Sequence, residues 1–120
     1  AMWRMGDMLR EFRGDSHTAA WITMGIDATE IGLMSELYWG LPMRTYSRTR
    51  AWTDSEFDAA EARLVKRGWV ADGALTDAGT AAREAVEVTT DAQMVPALDA
   101  IGSDLEELLS ILEPRSPTVW

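Results

Sequence analysis

The sequence of 120 residues contains no cysteine, one histidine and one lysine. Without cysteine the chain offers no disulfide, no thiol nucleophile and no thiolate ligand for zinc, which suits a reducing compartment. Conventional zinc and di-iron sites draw on several His or Cys ligands, and here only His17 is present. We therefore expect no metal site and no cofactor.

The chain also lacks a long apolar run and a secretion signal. No stretch approaches the length of about 20 apolar residues that spans a bilayer, and the N-terminus does not show a basic segment followed by an apolar one. These absences predict a cytoplasmic protein with no membrane partner. Ala1 and Met2 resemble a cloning remnant, so we expect the natural chain to extend upstream, where a further domain would be a partner of this one.

Apolar residues make up 47% of the chain, and the formal net charge is -9. This composition predicts one soluble domain over residues 1–120, which buries roughly two thirds of the surface of its unfolded chain. The excess acid lies toward the C-terminus, because residues 71–120 hold ten Asp and Glu against Arg83 and Arg115. That part of the chain should repel nucleic acid, although a compact domain can carry a basic face elsewhere.

Apolar periodicity predicts two helices at the N-terminus. The first covers residues 2–12 and is interrupted by Gly14. Asp15 or Ser16 then caps a second helix, which runs through Met24. Both helices are expected to flank the core of the domain.

The next two helices have clear boundary signals. A third helix opens at Asp27 or Thr29 and ends at residues 40–42, Gly-Leu-Pro. Residues 53–56, Thr-Asp-Ser-Glu, form a capping box, in which the first hydroxyl accepts from the fourth amide and the fourth carboxylate reaches back. The helix that they open ends at Gly68, where a left-handed C-terminal cap is expected.

A hairpin follows, because Asp72-Gly73 is a favoured turn dipeptide between two short extended pieces within residues 69–75. The order of elements over residues 27–92 is then helix, short helical turn, helix, hairpin and helix. This order is that of a winged helix-turn-helix, a mainly α fold with a short two-stranded wing. Residues 53–67 take the position of the recognition helix.

The C-terminal part is predicted to hold two helices. Thr76 caps one that runs through about Ala92, and Pro96 then breaks the chain. Residues 103–106, Ser-Asp-Leu-Glu, form a second capping box for a helix over residues 103–113, and the chain after it is expected to fray. This last helix needs a partner for its leucine stripe, either within the chain or in a homodimer. The stripe consists of Leu105, Leu108, Leu109 and Leu112.

Two groups of residues resemble known families. The segment "ARLVKRGWVADGALTDAGTAARE", residues 62–84, looks like the recognition-helix end, wing and following helix of MarR-type transcription regulators. The segments "FRGDSHTAAW", residues 12–21, and "YSRTRAW", residues 46–52, resemble the SalK-like actinobacterial winged-helix proteins, a largely uncharacterised family. The resemblance implies the C-terminal domain of such a protein, a regulatory role and dimerisation through the C-terminal helices, and it implies no particular chemistry.

The segment "RTYSRTRAW", residues 44–52 and here termed the arginine segment, is rich in cations. In one interpretation its arginines bind phosphate from DNA or from a small anion, while Tyr46 and Trp52 provide stacking surfaces. The candidate DNA- or anion-binding residues are Arg44, Arg48, Arg50, Arg63 and Lys66. In the other interpretation, which we favour slightly, the arginines of the segment pair within the chain. Their acidic partners would be Asp54, Glu56, Asp58 and Glu61.

Acidic side chains weigh against DNA recognition by the helix over residues 53–67. A recognition helix normally presents polar or basic side chains to base edges, whereas Asp54, Glu56 and Asp58 occupy its first turns. They would face a duplex that carries one charge per roughly 1.7 Å. The wing carries Asp72 in place of a cation. Standard major-groove recognition is therefore the less favoured alternative.

Residues 13–17, Arg-Gly-Asp-Ser-His, bring a Ser, a His and an Asp together in the sequence. Neighbours along a chain point in different directions and no Gly-x-Ser-x-Gly elbow is present, so we expect no catalytic residues. N-capping by Asp15 or Ser16 and a hydrogen-bonded His17 inside the helix packing are the simpler roles. The alternative is a ligand pocket that draws on Arg13, Asp15, His17, Trp21, Tyr46 and Trp52.

The sequence thus predicts a non-enzymatic winged-helix domain that acts as a regulatory ligand- or protein-interaction module diverged from DNA binding. A MarR-like DNA-binding transcription regulator is the alternative. The C-terminal part of a larger enzyme, with its catalytic residues upstream, is a further alternative.

Overall fold

The computed structural model describes residues 2–113. Within this range it contains five α-helices, one 3₁₀ helix and one β-hairpin. In chain order these are α1 Met2–Thr23, α2 Ala28–Tyr38, the 3₁₀ helix Ser47–Arg50, α3 Asp54–Lys66, β1 Val70–Ala71, β2 Ala74–Leu75, α4 Asp77–Ile101 and α5 Asp104–Leu112. The predicted fraying from Pro114 and the cation Arg115 lie outside the described residues.

The helices enclose one apolar core, which is built mainly from α2 and α3. Leu33 and Met34 of α2 meet Phe57 and Leu64 of α3, and all four side chains are fully buried with Val86 of α4. The hairpin follows α3, and α1 packs along α4. The predicted winged helix-turn-helix, mainly helical with a two-stranded antiparallel wing, is confirmed.

Both ends of α3 follow from local signals in the sequence. The Thr53 hydroxyl accepts from the amide of Glu56, and the Glu56 carboxylate accepts from the amide of Thr53, so the predicted capping box is present. Gly68 has a φ of 72°. Its amide donates to the Val65 carbonyl and the amide of Trp69 donates to the Leu64 carbonyl, which is the Schellman arrangement of a helix C-terminus.

The wing is as short as the sequence predicts. Val70 pairs with Leu75 and Ala71 with Ala74 in antiparallel register. Asp72-Gly73 joins the strands with φ values of 52° and 75°, the positive values that a type I′ turn requires. Val70 is buried while Ala71 is exposed, so one side of the wing packs on the core.

The predicted interruption of the first helix at Gly14 is wrong, because α1 is continuous from Met2 to Thr23. Ser16 is not a cap either, since its hydroxyl donates to the Phe12 carbonyl one turn earlier, at 2.8 Å. Glycine inside a helix costs about 0.5–1 kcal/mol relative to alanine. Packing of α1 along α4 outweighs that cost.

The predicted boundaries at the C-terminal end are also corrected. Thr76 caps α4 through the amide of Gly79 as expected, but α4 continues past Pro96 to Ile101. Pro96 is exposed, so the carbonyl that loses its intrahelical donor can bond to water. Ser103 forms no capping box, since its backbone is helical with a φ of -63° and a ψ of -19°, whereas a capping residue is normally extended.

Two properties of the described residues bear on function. Within residues 2–113 no group of three or more His, Asp or Glu side chains is placed to hold a metal ion. None of the helices in this range is both long enough and apolar enough to cross a bilayer.

Substitution of Gly79 by alanine tests how α4 docks on the wing. A Cβ at this position would lie 2.0 Å from the Trp69 carbonyl oxygen and 3.1 Å from Cδ2 of Leu75. Because the backbone must shift to remove these overlaps, we expect Gly79→Ala to lower the free energy of unfolding by about 1–3 kcal/mol. Urea unfolding followed by circular dichroism gives the value.

Gly14→Ala is the matched control, since a Cβ at Gly14 meets no atom within 4 Å. The free energy of unfolding of this variant should rise by about 0.5–1 kcal/mol, because alanine is the better helix former. Equal effects of the two substitutions would contradict the close contact between α4 and Trp69.

Candidate functional site

Two buried carboxylates on α2 organise the surface around α3. Glu30 is 1% exposed and Glu36 is 2% exposed. A buried charge is tolerated only where hydrogen bonds or an opposite charge compensate it. The partners of these two side chains therefore fix how neighbouring segments are placed.

Glu30 ties α2 to α3. It closes the capping box of α2 by accepting from the amide of Asp27 at 2.9 Å, and it accepts from Nε of Arg63 at 3.0 Å. Arg63 also pairs with the Asp27 carboxylate. Burial alone would lower the pKa of Arg63, but Glu30 and Asp27 raise it. The structure thus places this candidate DNA contact in an internal ion pair.

Glu36 holds the arginine segment through its backbone. One carboxylate oxygen accepts from the amide of Arg44 and the other from the amide of Ser47, both at 2.6 Å. No basic side chain among residues 2–113 forms an ion pair with it, since its partners are backbone amides. Arg44 has a φ of 65°, a conformation that costs a non-glycine residue about 1–2 kcal/mol. The bond to Glu36 compensates this strain.

Two side chains of the arginine segment turn toward acidic residues of α3. Arg44 lies 2.7 Å from the Glu61 carboxylate and 2.8 Å from that of Asp58, and these bonds raise its pKa. Arg48 lies 3.1 Å from Asp54. This is the internal pairing that the favoured interpretation expects for two of the three arginines.

The remaining members of the predicted cluster behave differently. Glu56 takes no part in the pairing, because its carboxylate accepts from Thr53, which lowers its pKa. Arg50 and Lys66 form no ion pair among the described residues. Arg50 lies over the Tyr46 ring, 5.7 Å from its centroid.

A cavity of about 410 Å³ lies between α1, α2 and the 3₁₀ helix. We term it the α1–α2 cavity. Its walls include His17, Trp21, Gly32, Glu36, Trp39, Tyr46, Ser47 and Arg50. Three of the predicted pocket residues, His17, Trp21 and Tyr46, are thus brought together.

The other three predicted pocket residues lie elsewhere. Arg13 lines an adjoining, more open groove and pairs with Glu87 at 2.9 Å. Asp15 is exposed, and Trp52 packs against the core. The cavity wall also contains Glu36, Ser47 and Trp39, which the sequence did not predict.

Ser47 is the most unusual member of the cavity wall. It is 2% exposed, and its hydroxyl oxygen is buried without a hydrogen-bond partner. A Cβ added at Gly32 would lie 3.6 Å from this oxygen, so the small residue leaves room beside it. Buried polar atoms are nearly always satisfied, which makes this hydroxyl a candidate for contact with a bound molecule.

His17 joins a polar network between α1 and α4. Its Nδ1 lies 3.3 Å from the Thr90 hydroxyl. That hydroxyl donates to the Val86 carbonyl, so Nδ1 is the donor to Thr90. The pKa of His17 is lowered, first by burial and then by the charge of Arg83. Because the Ser16 hydroxyl is directed to Phe12, these residues do not form a Ser-His-Asp arrangement.

Arg83 and Glu87 complete this network. Arg83 is 3% exposed, donates to Glu87 at 2.6 Å and donates to the Ser35 hydroxyl at 3.2 Å. Burial would raise the pKa of Glu87, but the bond and charge of Arg83 hold it below its usual value. The network joins α1, α2 and α4, and two of its members, His17 and Ser35, line the cavity.

Comparison with known proteins bears on the two central helices. The sequence model of a helix-turn-helix family matches residues 1–120, which include α2 and α3. No curated protein and no solved structure gives a significant match.

Removal of the Glu36 carboxylate should release the arginine segment. We expect Glu36→Ala to lower the free energy of unfolding by about 2–4 kcal/mol, because two backbone amides lose a charged acceptor. Ser47→Ala should change it by less than about 1 kcal/mol or stabilise the fold, since the hydroxyl has no partner to lose. Denaturant titrations of both variants give the comparison, and a larger loss for Ser47→Ala would contradict the roles assigned here.

The lowered pKa of His17 predicts acid sensitivity. The unfolded chain binds a proton at His17 near pH 6.5, more readily than the folded chain does. The free energy of unfolding should therefore fall as the pH drops below about 6.5 and level off below the pKa of the folded state. Urea titrations between neutral and mildly acidic pH measure this slope. His17→Gln should flatten it, and an unchanged slope in that variant would assign the dependence to other groups.

Proposed function

The chain belongs to a helix-turn-helix family, and on that premise we propose that it is a non-enzymatic regulatory module that binds a small ligand in the α1–α2 cavity. In this proposal α3 keeps the position of a recognition helix without reading DNA. The observation that carries it is the pairing of Arg44 and Arg48 with acidic residues of α3 itself.

The charges on and around α3 support the proposal that this helix does not read DNA. Phosphate contacts would require Arg44, Arg48 and Arg63 to leave carboxylates that already bind them. The acids of the first turns would then face the duplex without compensation. DNA affinity depends mainly on cations that neutralise phosphates, and the exposed turn of the wing supplies Asp72. Both elements that normally contact DNA are therefore unfavourable for it.

The position of the cavity supports a regulatory role. Tyr46, Ser47 and Arg50 line it and belong to the segment that leads directly into α3. Arg48 in the same segment pairs with Asp54 at the start of that helix. A molecule in the cavity would touch the segment from one side while α3 holds it from the other. Ligand binding can in this way alter the surface around α3.

A second candidate is a MarR-like or SalK-like transcription regulator that docks on DNA in a displaced manner. Its support is the exposure of Arg50 and Lys66, neither of which has an acidic partner among residues 2–113. In that case the homodimer expected from the leucine stripe would form through α4 and α5, where Leu109 is exposed.

DNA titrations with charge variants distinguish the two candidates. We expect no salt-sensitive fluorescence anisotropy change when the wild-type chain is added to a labelled duplex at low salt. The double substitution Asp54→Asn and Asp58→Asn removes two charges facing the duplex and frees Arg48, so this variant should gain weak, salt-sensitive binding.

Glu106→Gln with Glu107→Gln is the matched control, because it removes the same charge from α5, away from α3. It should bind no better than the wild type. Wild-type binding that Ala substitutions of Arg44, Arg48 and Arg50 abolish would establish the second candidate. Equal gains in the two double variants would show that net charge, rather than the acids of α3, governs binding.

A further inference from the structure

The ligand class of the α1–α2 cavity can be inferred from its polar atoms, provided that the proposed ligand-binding function holds. Glu36 lines the cavity, is 2% exposed and has backbone amides as its only hydrogen-bond partners among residues 2–113. A carboxylate has about four acceptor positions, and the two amides use two of them. The side chain thus retains unused acceptor positions beside the cavity.

Ser47 adds a second unsatisfied group at the same place. Ser47 lines the same cavity, and its hydroxyl is buried without a partner. The hydroxyl can accept a hydrogen bond, as can Glu36. A ligand group with several N–H donors satisfies both side chains at once, and an ammonium group offers three donors.

Aromatic residues also contribute to the wall of the cavity. Trp21, Trp39 and Tyr46 line the cavity, and aromatic faces attract cations as well as apolar groups. The cavity volume of about 410 Å³ lies in the range of roughly 300–1,000 Å³ that is usual for small-molecule sites. These rings suit an apolar ring system that carries a cationic group.

Basic residues near the cavity do not reverse its preference for a cationic ligand. Arg50 lines the cavity but is exposed, so water and salt screen its charge more than they screen the buried carboxylate of Glu36. Arg83 lies behind Ser35 and is paired with Glu87. Burial lowers the pKa of His17, which favours its neutral form. The buried charge that faces a ligand without a basic partner is therefore negative.

We infer that the α1–α2 cavity takes an aromatic amine whose ammonium group binds at Glu36 and Ser47, with its ring system against Trp21, Trp39 and Tyr46. This assignment rests on the geometry of one cavity and on the chemistry of two buried groups. The inferred site should bind an amine more tightly than a carboxylate of the same shape.

Three naphthyl compounds of similar size test the inference by titration calorimetry at neutral pH: naphthylethylamine, naphthylethanol and naphthylacetate. The amine should bind the wild-type chain about tenfold more tightly than the alcohol, because only the amine forms an ion pair with Glu36. The acetate should bind more weakly than the alcohol.

Three variants locate the effect. Glu36→Gln should weaken binding of the amine more than binding of the alcohol, so that the advantage of the amine disappears. Ser47→Ala should retain the fold, since its hydroxyl has no partner to lose, and it should weaken binding of the amine several-fold. Arg50→Ala should leave the affinity for the amine equal or higher. The Ser47 variant keeps the test valid if Glu36→Gln does not fold.

The outcomes separate the ligand class from the function. If the alcohol binds as tightly as the amine, the cationic class is wrong while the cavity remains a ligand site. If the acetate binds most tightly and Arg50→Ala abolishes its binding, the site takes an anion instead. If none of the three compounds binds, both the inference and the proposed ligand-binding function fail.

Discussion

The placement of buried negative charge on α2 is the constraint on which the rest of the structure depends. Glu30 and Glu36 sit nearly two turns apart on one helix and are both almost fully buried. Each must find donors, because a buried carboxylate without them is strongly unfavourable. Glu30 finds the guanidinium of Arg63 on α3, and Glu36 finds the amides of Arg44 and Ser47. Both α3 and the arginine segment are thereby fixed against α2.

This constraint changes what the helix-turn-helix can do. Once the backbone at residues 44–47 is held by Glu36, the side chains of Arg44 and Arg48 reach the acids of α3. Cations that could bind phosphate become internal partners, and the same segment becomes the wall of a cavity. In the proposed function, a helix-turn-helix domain recognises a small molecule instead of DNA, which is consistent with the rule that fold alone does not assign function.

Local signals predicted the fold well, and long-range contacts account for the errors. The capping box at Thr53, the glycine cap at Gly68 and the turn of the wing depend on residues within one turn, so the sequence contains them in full. Packing between α1 and α4 outweighs the cost of Gly14 inside a helix. The role of Glu30 could have been predicted in part from the sequence, since it lies three residues after Asp27 in a capping box. The partners of Glu36 are backbone amides eight and eleven residues away. No pattern of side chains in the sequence predicts these contacts.

Backbone amide mapping by NMR tests the central claim most directly. A nitrogen-labelled chain would be titrated with duplex DNA at low salt, and the amide shifts of residues 44–66 would be followed. The ion pairs between the arginine segment and α3 predict that these shifts stay unchanged. Large shifts confined to residues 54–58 would place the start of α3 against the duplex and would contradict the account.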